Sequence, residues 1–555
     1  MERNQQINTI AHFRKNHHTK QCMLNFAIRT NILGLSVSEE IKISLDKSEK
    51  IFNLISRIQQ ELKNLLKTKF NRYVEDIYVS FKIGKKHVNG KILLDNFPTP
   101  GRNPIILQVF DQKHVVSFND PLIIDMSLPP VVFAECSIQP ATFVTIFTNN
   151  KLSEYTWYKS LDQVEWIKCG TGYEYKVKLE DVDHYLKLVC IPVENRKRGP
   201  MAEAASQSKV QYMKDFSTFP FHKRHEFTKS YLQDFTFRVV SYNTPSKRYT
   251  QMDEKYSYCD PTFLSIDYRT LVLFKELLGF KADIICLQEI HKKIYKNYFR
   301  RQFQINGYYC YYNSSQVSEG FGLFIRQWNF RHVHSMHVQF GQEVQSNPNY
   351  SYIWDLIKRN EDLKNEFVKM PTSLQVTVLR HWKKKYYVIV GNTHFTDKPE
   401  SNHLRLLHIN MTTSYMETLK RTYEENGAKV AVILCGNFNS QPDQSLYEYV
   451  TKGMIDPAHE DCLKVSENGM IAMYHCLGME SACGTPKFTN YTKDFKGCLD
   501  YIFIESEKLK VRQVIPMTEE EELAKHEGLP NEYFPSDHLP LVVDLKFKLG
   551  PWELD

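Results

Sequence analysis

From Phe235 onward, short apolar runs that mostly close on a polar residue alternate with helical stretches to the end of the chain. The runs are FRVVSYN, DIICLQEI, GFGLFIRQW, SLQVTVLR, YYVIVGNTHF, KVAVILCGNFNS, LDYIFIE and HLPLVVDLKF. Their β-branched and aromatic content predicts strands, and strands interleaved with helices predict an α/β layer architecture. Side chains that end buried strands at one edge of a sheet meet on a common rim, so the chemistry is expected there.

In chain order the strand-end residues are Asn243, Glu289, Asn392 with His394, Asn437 with Asn439, Asp500, and Asp537 with His538. In-line hydrolysis of a phosphodiester needs a carboxylate for a hard cation, amides to orient phosphate oxygens, and histidines near a carboxylate. Singly, each residue has a plainer reading: Glu289 can merely end a strand, and an SDH tripeptide arises by chance. Six such positions, each beside a predicted strand, make coincidence a poor account.

VVSYN, ADIICLQE, NTHF, CGNFNS, GCLDYIF and PSDHLPL follow one another as the motifs of the exonuclease/endonuclease/phosphatase superfamily do, and the chain resembles that superfamily from Phe235 to Lys548. SACGTPKFTNY, FKGCLDYIFIE and the VIPM segment before PSDH are similar to the branch of carbon-catabolite-repression type deadenylases and 2′-phosphodiesterases that trim oligoadenylates and poly(A). The resemblance implies a two-sheet β-sandwich flanked by helices and a Mg²⁺-dependent phosphodiesterase acting on RNA. It implies Glu289 as the Mg²⁺ ligand, with Asn243 helping to hold the metal and its water. His394 would contact the scissile phosphate, Asn439 would orient the attacking water or a phosphate oxygen, and Asp537 would sit in the metal and phosphate shell. Asp500 would orient His538, whose imidazolium stabilises charge on the phosphate. Tyr242, Asn392 and Lys247 are expected to contact substrate.

The pattern breaks at one catalytic position. The family's G-D-F-N-S stands here as Gly436, Asn437, Phe438, Asn439 and Ser440. By resemblance the missing Asp activates the attacking water; an amide of nearly the same shape carries no charge and takes no proton near pH 7. Two loops depart as well: Thr244, Pro245, Ser246 and Lys247 follow Asn243, and Phe395, Thr396, Asp397, Lys398 and Pro399 follow His394.

The front of the chain reads differently. Residues 1–22 carry Arg3, Arg14, Lys15 and Lys20 against Glu2, the look of a basic tail or a short organelle-targeting segment. Residues 23–120 read as a small α+β domain of β-grasp type: two strands, a helix on which Ile51, Leu54, Ile55, Ile58, Leu62, Leu65 and Leu66 recur at helical spacing, then further strands. Residues 121–213 are all-β, with Trp157 and the Tyr185 to Cys190 strand resembling the core Trp and tyrosine corner of immunoglobulin-like sandwiches. Residues 214–234, with Pro220 and a basic cluster, read as a linker to the catalytic-type domain, 235–555.

A chain of 555 residues is long for one core, in keeping with this division. Its net charge of +7 permits a polyanionic partner without requiring one. Twelve cysteines without metal-type CxxC pairs, several inside apolar runs, predict a reducing compartment. No apolar run is long enough to span a bilayer. The resemblance implies a mitochondrial location, with the cytoplasm as the alternative.

Two main readings stay open. One is a Mg²⁺-dependent 3′-exoribonuclease acting on 2′,5′-oligoadenylate or poly(A), slowed by Asn437. The other is a pseudoenzyme that keeps the groove to bind RNA or a protein partner. An abasic-DNA endonuclease or a phosphoinositide phosphatase on the same fold is a third, disfavoured by the GCLDYIF context.

Overall fold

The computed structural model describes residues 9–15, 20–32, 35–98, 103–129, 131–134, 136–212, 216–244, 256–314, 318–382, 385–465 and 473–548. Two compact units divide the chain, Met1–Met213 and Lys214–Asp555.

The first unit opens with a seven-stranded sheet in the order Leu35–Asp46, Gln21–Ile32, Thr9–Lys15, Gln112–Phe118, Ile105–Val109, Val79–Ile83, Lys86–His87. The helix Ile51–Phe70 buries Ile51, Leu54, Ile58, Leu62 and Leu66 of the expected stripe, leaves Ile55 and Leu65 partly buried at its margin, and ends at Asn71 in the left-handed region. Within the stretch expected to be a basic tail, Thr9–Lys15 form an inner strand of this sheet, antiparallel to Gln21–Ile32 and parallel to Gln112–Phe118. Ala11 and Phe13 alternate into the core, and Arg14 is buried beside them, its Nε donating to Asp120 O at 2.9 Å. The basic residues disguised that alternation.

Further along this unit a four-stranded sheet runs Ile167–Thr171, Glu154–Ser160, Tyr185–Ile191, Ala202–Ala205. Trp157 is fully buried and stacks on Tyr175 at 5.6 Å. Tyr185, expected as the buried corner, is half-buried with Lys209 over its ring. The buried tyrosines here are instead Tyr155 and Tyr175, and the Tyr175 hydroxyl donates to Asp181 Oδ2 at 2.6 Å.

In the second unit two six-stranded sheets face each other. One runs Tyr308–Ser314, Glu319–Arg326, Ile284–His291, Thr236–Asn243, Leu541–Phe547, Leu509–Val514; the other runs Phe330–Gln339, Ser373–His381, Tyr386–His394, Lys429–Asn437, Asp500–Glu505, Met479–Ser481. One apolar cluster joins their inner faces, with Val239, Cys286 and Leu323 from the first and Val388, Ile433 and Ile502 from the second. Helices Ile266–Gly279 and Asn402–Glu425 cover the outer faces. All twelve cysteines are free. Among the described residues no helix is long and apolar enough to cross a membrane.

The segment expected as a linker belongs to this unit. Phe219 and Phe221 are buried, and Arg224 of the short helix Phe221–His225 donates to Pro516 O at 2.9 Å and Pro540 O at 2.8 Å. Aromatic residues spaced too irregularly for one helical face hid this docking from the sequence.

Candidate active site

Strands of both sheets end at one cleft of about 380 Å³ lined by Glu289, His394, Asn437, Asn439, Asp537 and His538. Three local features aim these side chains. The ladder of Ile284–His291 slips between Leu287 and Ile290, and Glu289 sits there at φ 55°, a strained non-glycine conformation that turns its carboxylate out of the alternation. Asn439 lies at φ 48° in the turn leaving Lys429–Asn437. Gly436 lets that strand close on its neighbour, since a Cβ there would stand 2.4 Å from Thr393 O.

Asn243 ends Thr236–Asn243 and donates from Nδ2 to Glu289 Oε1 at 2.9 Å, with His538 Nε2 at 3.5 Å. His394 Nε2 stands 3.4 Å from Glu289 Oε1 and 3.3 Å from Asn439 Nδ2. Asn439 also donates to Phe395 O at 2.7 Å, and Asn437 Oδ1 accepts from the Asn439 backbone N–H at 2.9 Å. In the register Asn437 faces His394 on one side and Asp500 on the other. His538 Nδ1 and Asp500 Oδ2 are 2.7 Å apart, and Asp537 Oδ1 lies 3.9 Å from His538 Nε2. Burial disfavours a charged imidazole there, but the charges of Asp500 and Asp537, the bond to Asp500 and the charge of Glu289 outweigh it, pushing the His538 pKa up to about 9.

The structure thus gathers eight of the sequence-predicted residues: Asn243, Glu289, His394, Asn437, Asn439, Asp500, Asp537 and His538. Two expected substrate contacts do not reach the cleft. Tyr242 precedes Asn243 on a strand, so its ring points to the opposite face, where it is buried with Leu273 and Leu277. Asn392 shares a face with His394 but lies two residues deeper. It is fully buried in an amide layer beneath the cleft, accepting from Gln288 Nε2 at 2.8 Å and donating to Gln375 Oε1 at 3.1 Å. Lys247 lies outside the described residues.

Sequence reasoning missed several neighbours. The Tyr256 hydroxyl donates to Asp537 Oδ2 at 2.8 Å, and Thr489 Oγ1 donates to Asp500 Oδ2 at 2.6 Å. Arg405 pins the loop after His394, donating to the Thr396 and Lys398 carbonyls at 3.0 and 2.7 Å. Two of them left a signal: Arg405, as an arginine among Leu404, Leu406 and Leu407 on a helix, and Thr489, which lies inside the SACGTPKFTNY segment.

The donor set suits a hard divalent cation. Asn243 Oδ1 is buried and accepts no hydrogen bond, an orphaned oxygen whose amide nitrogen is tied to the Glu289 carboxylate. A small hard cation is typically bound through one or two carboxylates and keeps several waters, which Glu289 beside the Asn243 amide matches.

Strand-end acids, amides and a carboxylate-held histidine on one rim of a two-sheet sandwich are the equipment of a phosphate-ester hydrolase. The chain belongs to the endonuclease/exonuclease/phosphatase family, whose sequence profile residues 241–538 match. It is 31% identical to 2′,5′-phosphodiesterase 12 of Mus musculus over 472 residues, covering 80% of this chain and 76% of that protein. It is 28% identical over 337 residues to the CCR4-Not complex 3′-5′-exoribonuclease subunit Ccr4 of Kluyveromyces lactis, covering 57% of this chain and 42% of that one. The crystal structure of ANGEL2, a 2′,3′-cyclic phosphatase, is 22% identical and covers 58% of this chain and 98% of its own, with a TM-score of 0.48. These relatives support a nuclease or phosphodiesterase.

Proposed function

We propose that this protein is a Mg²⁺-dependent 3′-exoribonuclease that releases mononucleotides from 2′,5′-oligoadenylate or poly(A) RNA. The observation that carries this reading is His538 held between Asp500 and Asp537 and facing Glu289 and Asn243 across one cleft. Glu289 and Asn243 Oδ1 would hold the Mg²⁺, which when bound supplies Lewis-acid polarisation of the phosphate. His394 and Asn439 would orient phosphate oxygens. His538, charged at neutral pH, would stabilise the charge that builds on the phosphate in the transition state. AMP release from 2′,5′- and 3′,5′-oligoadenylates, with Mg²⁺ and then with chelator, tests the assignment. Release that persists unchanged in chelator overturns it.

A second reading has its own observation. Asn437 Oδ1 is engaged by the Asn439 N–H, so the cleft meets an amide that takes no proton. This favours a protein that binds RNA in the groove and hydrolyses it slowly or not at all. Tight oligoadenylate binding without AMP release identifies that case.

A further inference from the structure

At the ends of the second sheet remote from the cleft, two of the chain's six tryptophans stand in water. Trp328, in the turn between Glu319–Arg326 and Phe330–Gln339, is 79% exposed, and Trp382, just after Ser373–His381, is 50% exposed. The strand Tyr386–His394 runs from this pole to the cleft; its nine residues span roughly 30 Å at about 3.3 Å each.

Trp382 is built into place. Its Nε1 donates to Gln327 O at 2.8 Å, its backbone N–H to Asn329 O at 3.2 Å, and the Arg331 guanidinium lies 4.7 Å over its ring. Arg331 stands directly opposite Arg380 in the register, and Arg380 opposite Tyr387. Like charges directly opposite weaken a ladder. Yet among the described residues Arg331, Arg380 and the exposed Lys385 form no ion pair. The pole therefore offers an open indole at Trp328, an indole at Trp382 with Arg331 over its ring, and cations that form no ion pair among the described residues, the combination that receives stacked bases and their phosphates.

We propose that this pole is a second binding surface for single-stranded RNA, with bases stacking on Trp328 and Trp382 and phosphates meeting Arg331, Arg380 and Lys385. The inference rests on the reading of RNA as the ligand of the cleft, and it extends that ligand to strands long enough to reach the pole. A lipid surface fits the geometry less well. An interfacial tryptophan presents its indole N–H to headgroups, whereas that of Trp382 is already bound to a backbone carbonyl.

The test measures binding of the full chain in chelator by fluorescence anisotropy. The probes are a labelled oligoadenylate trimer, a single strand of about twenty nucleotides that spans cleft and pole, and a duplex of the same length. Trp328→Ser and Trp382→Ser should each weaken the long strand at least about fivefold, while Trp382→Phe, which keeps a stacking face, stays near the parent. Arg331→Gln should weaken it and lower the salt slope by about one. Trimer affinity, and trimer hydrolysis in Mg²⁺, should not change. Tryptophan variants that bind the long strand like the parent overturn the inference while leaving the cleft reading intact. Equal losses on the duplex overturn it too, because they reveal charge without stacking. Unchanged RNA binding with lost affinity for phosphatidylcholine–phosphatidylserine vesicles assigns the pole to membranes instead. A parent that binds neither trimer nor long strand removes the RNA reading and this inference together.

Discussion

Asn437 Oδ1 accepts the backbone N–H of Asn439 at 2.9 Å, which fixes the amide so that its nitrogen is left for the cleft. A carboxylate at this position keeps the same bond through one oxygen and turns the other, charged and basic, toward the place where the nitrogen now stands. Asn437→Asp should therefore raise AMP release by at least about tenfold, and up to roughly 10⁴-fold, with little change of shape. The gain should vanish when Glu289 is also replaced. A rate unchanged on both 2′,5′- and 3′,5′-oligoadenylates would mean that the block lies elsewhere in the cleft.

Glu289 is the carboxylate tied to the orphaned Asn243 amide, and an ion that keeps most of its waters depends on one or two such groups. Glu289→Ala should abolish Mg²⁺ binding in a calorimetric titration of the protein without RNA. Parent-like Mg²⁺ affinity in this variant rules out the proposed site.

Asp500→Asn preserves the size of the side chain but removes the charge that holds His538 as an imidazolium. On the role proposed for that cation in the transition state, kcat should fall by about 10² to 10³ while KM stays close to the parent's. His538→Ala should behave alike, and the double variant should be no worse than either single one, since the pair acts as a unit. If either variant melts far below the parent, the pair is part of the core.

Most of the rim was legible because strand-end polarity survives in sequence: Asn243, Glu289, His394, Asn437, Asp500 and His538 each follow or begin an apolar run. Depth was not legible. Tyr242 and Asn392 sit in the same motifs as true cleft residues, and only parity and distance from the strand end separate them. Tyr256 acts through a long-range bond to Asp537 that leaves no local pattern, and Thr489, although inside a recognised motif, shows its bond to Asp500 only in the fold. In the fold, the strand Thr9–Lys15 and the docked segment around Arg224 were hidden because basic residues imitate a tail or linker, although each is buried by partners far along the chain.

His408 lies on the helix Asn402–Glu425 beneath the loop that carries His394 and Phe395. Its ring is fully buried against Phe367, Phe340 and Phe395 at 4.5, 5.4 and 5.8 Å, and neither nitrogen has a hydrogen-bond partner. Burial pushes its pKa from 6.5 down to about 3. A histidine depressed in the folded state leaves stability intact above its unfolded pKa. Below 6.5 the unfolded chain takes a proton that the folded chain refuses, so stability falls by up to about 1.4 kcal/mol per pH unit until about pH 3. Buried His225, lowered to about 4, acts in the same sense, whereas Glu276, raised to about 7 by burial, acts in the opposite one. A difference between variant and parent isolates His408 from both. His408→Phe fills the same flat space without two unpaired nitrogens, so it should be at least as stable as the parent at pH 7.5 and gain on it progressively at pH 6 and 5. Denaturation curves for variant and parent that shift in parallel with pH would show that His408 takes up its proton in the folded state, contrary to its apolar cage.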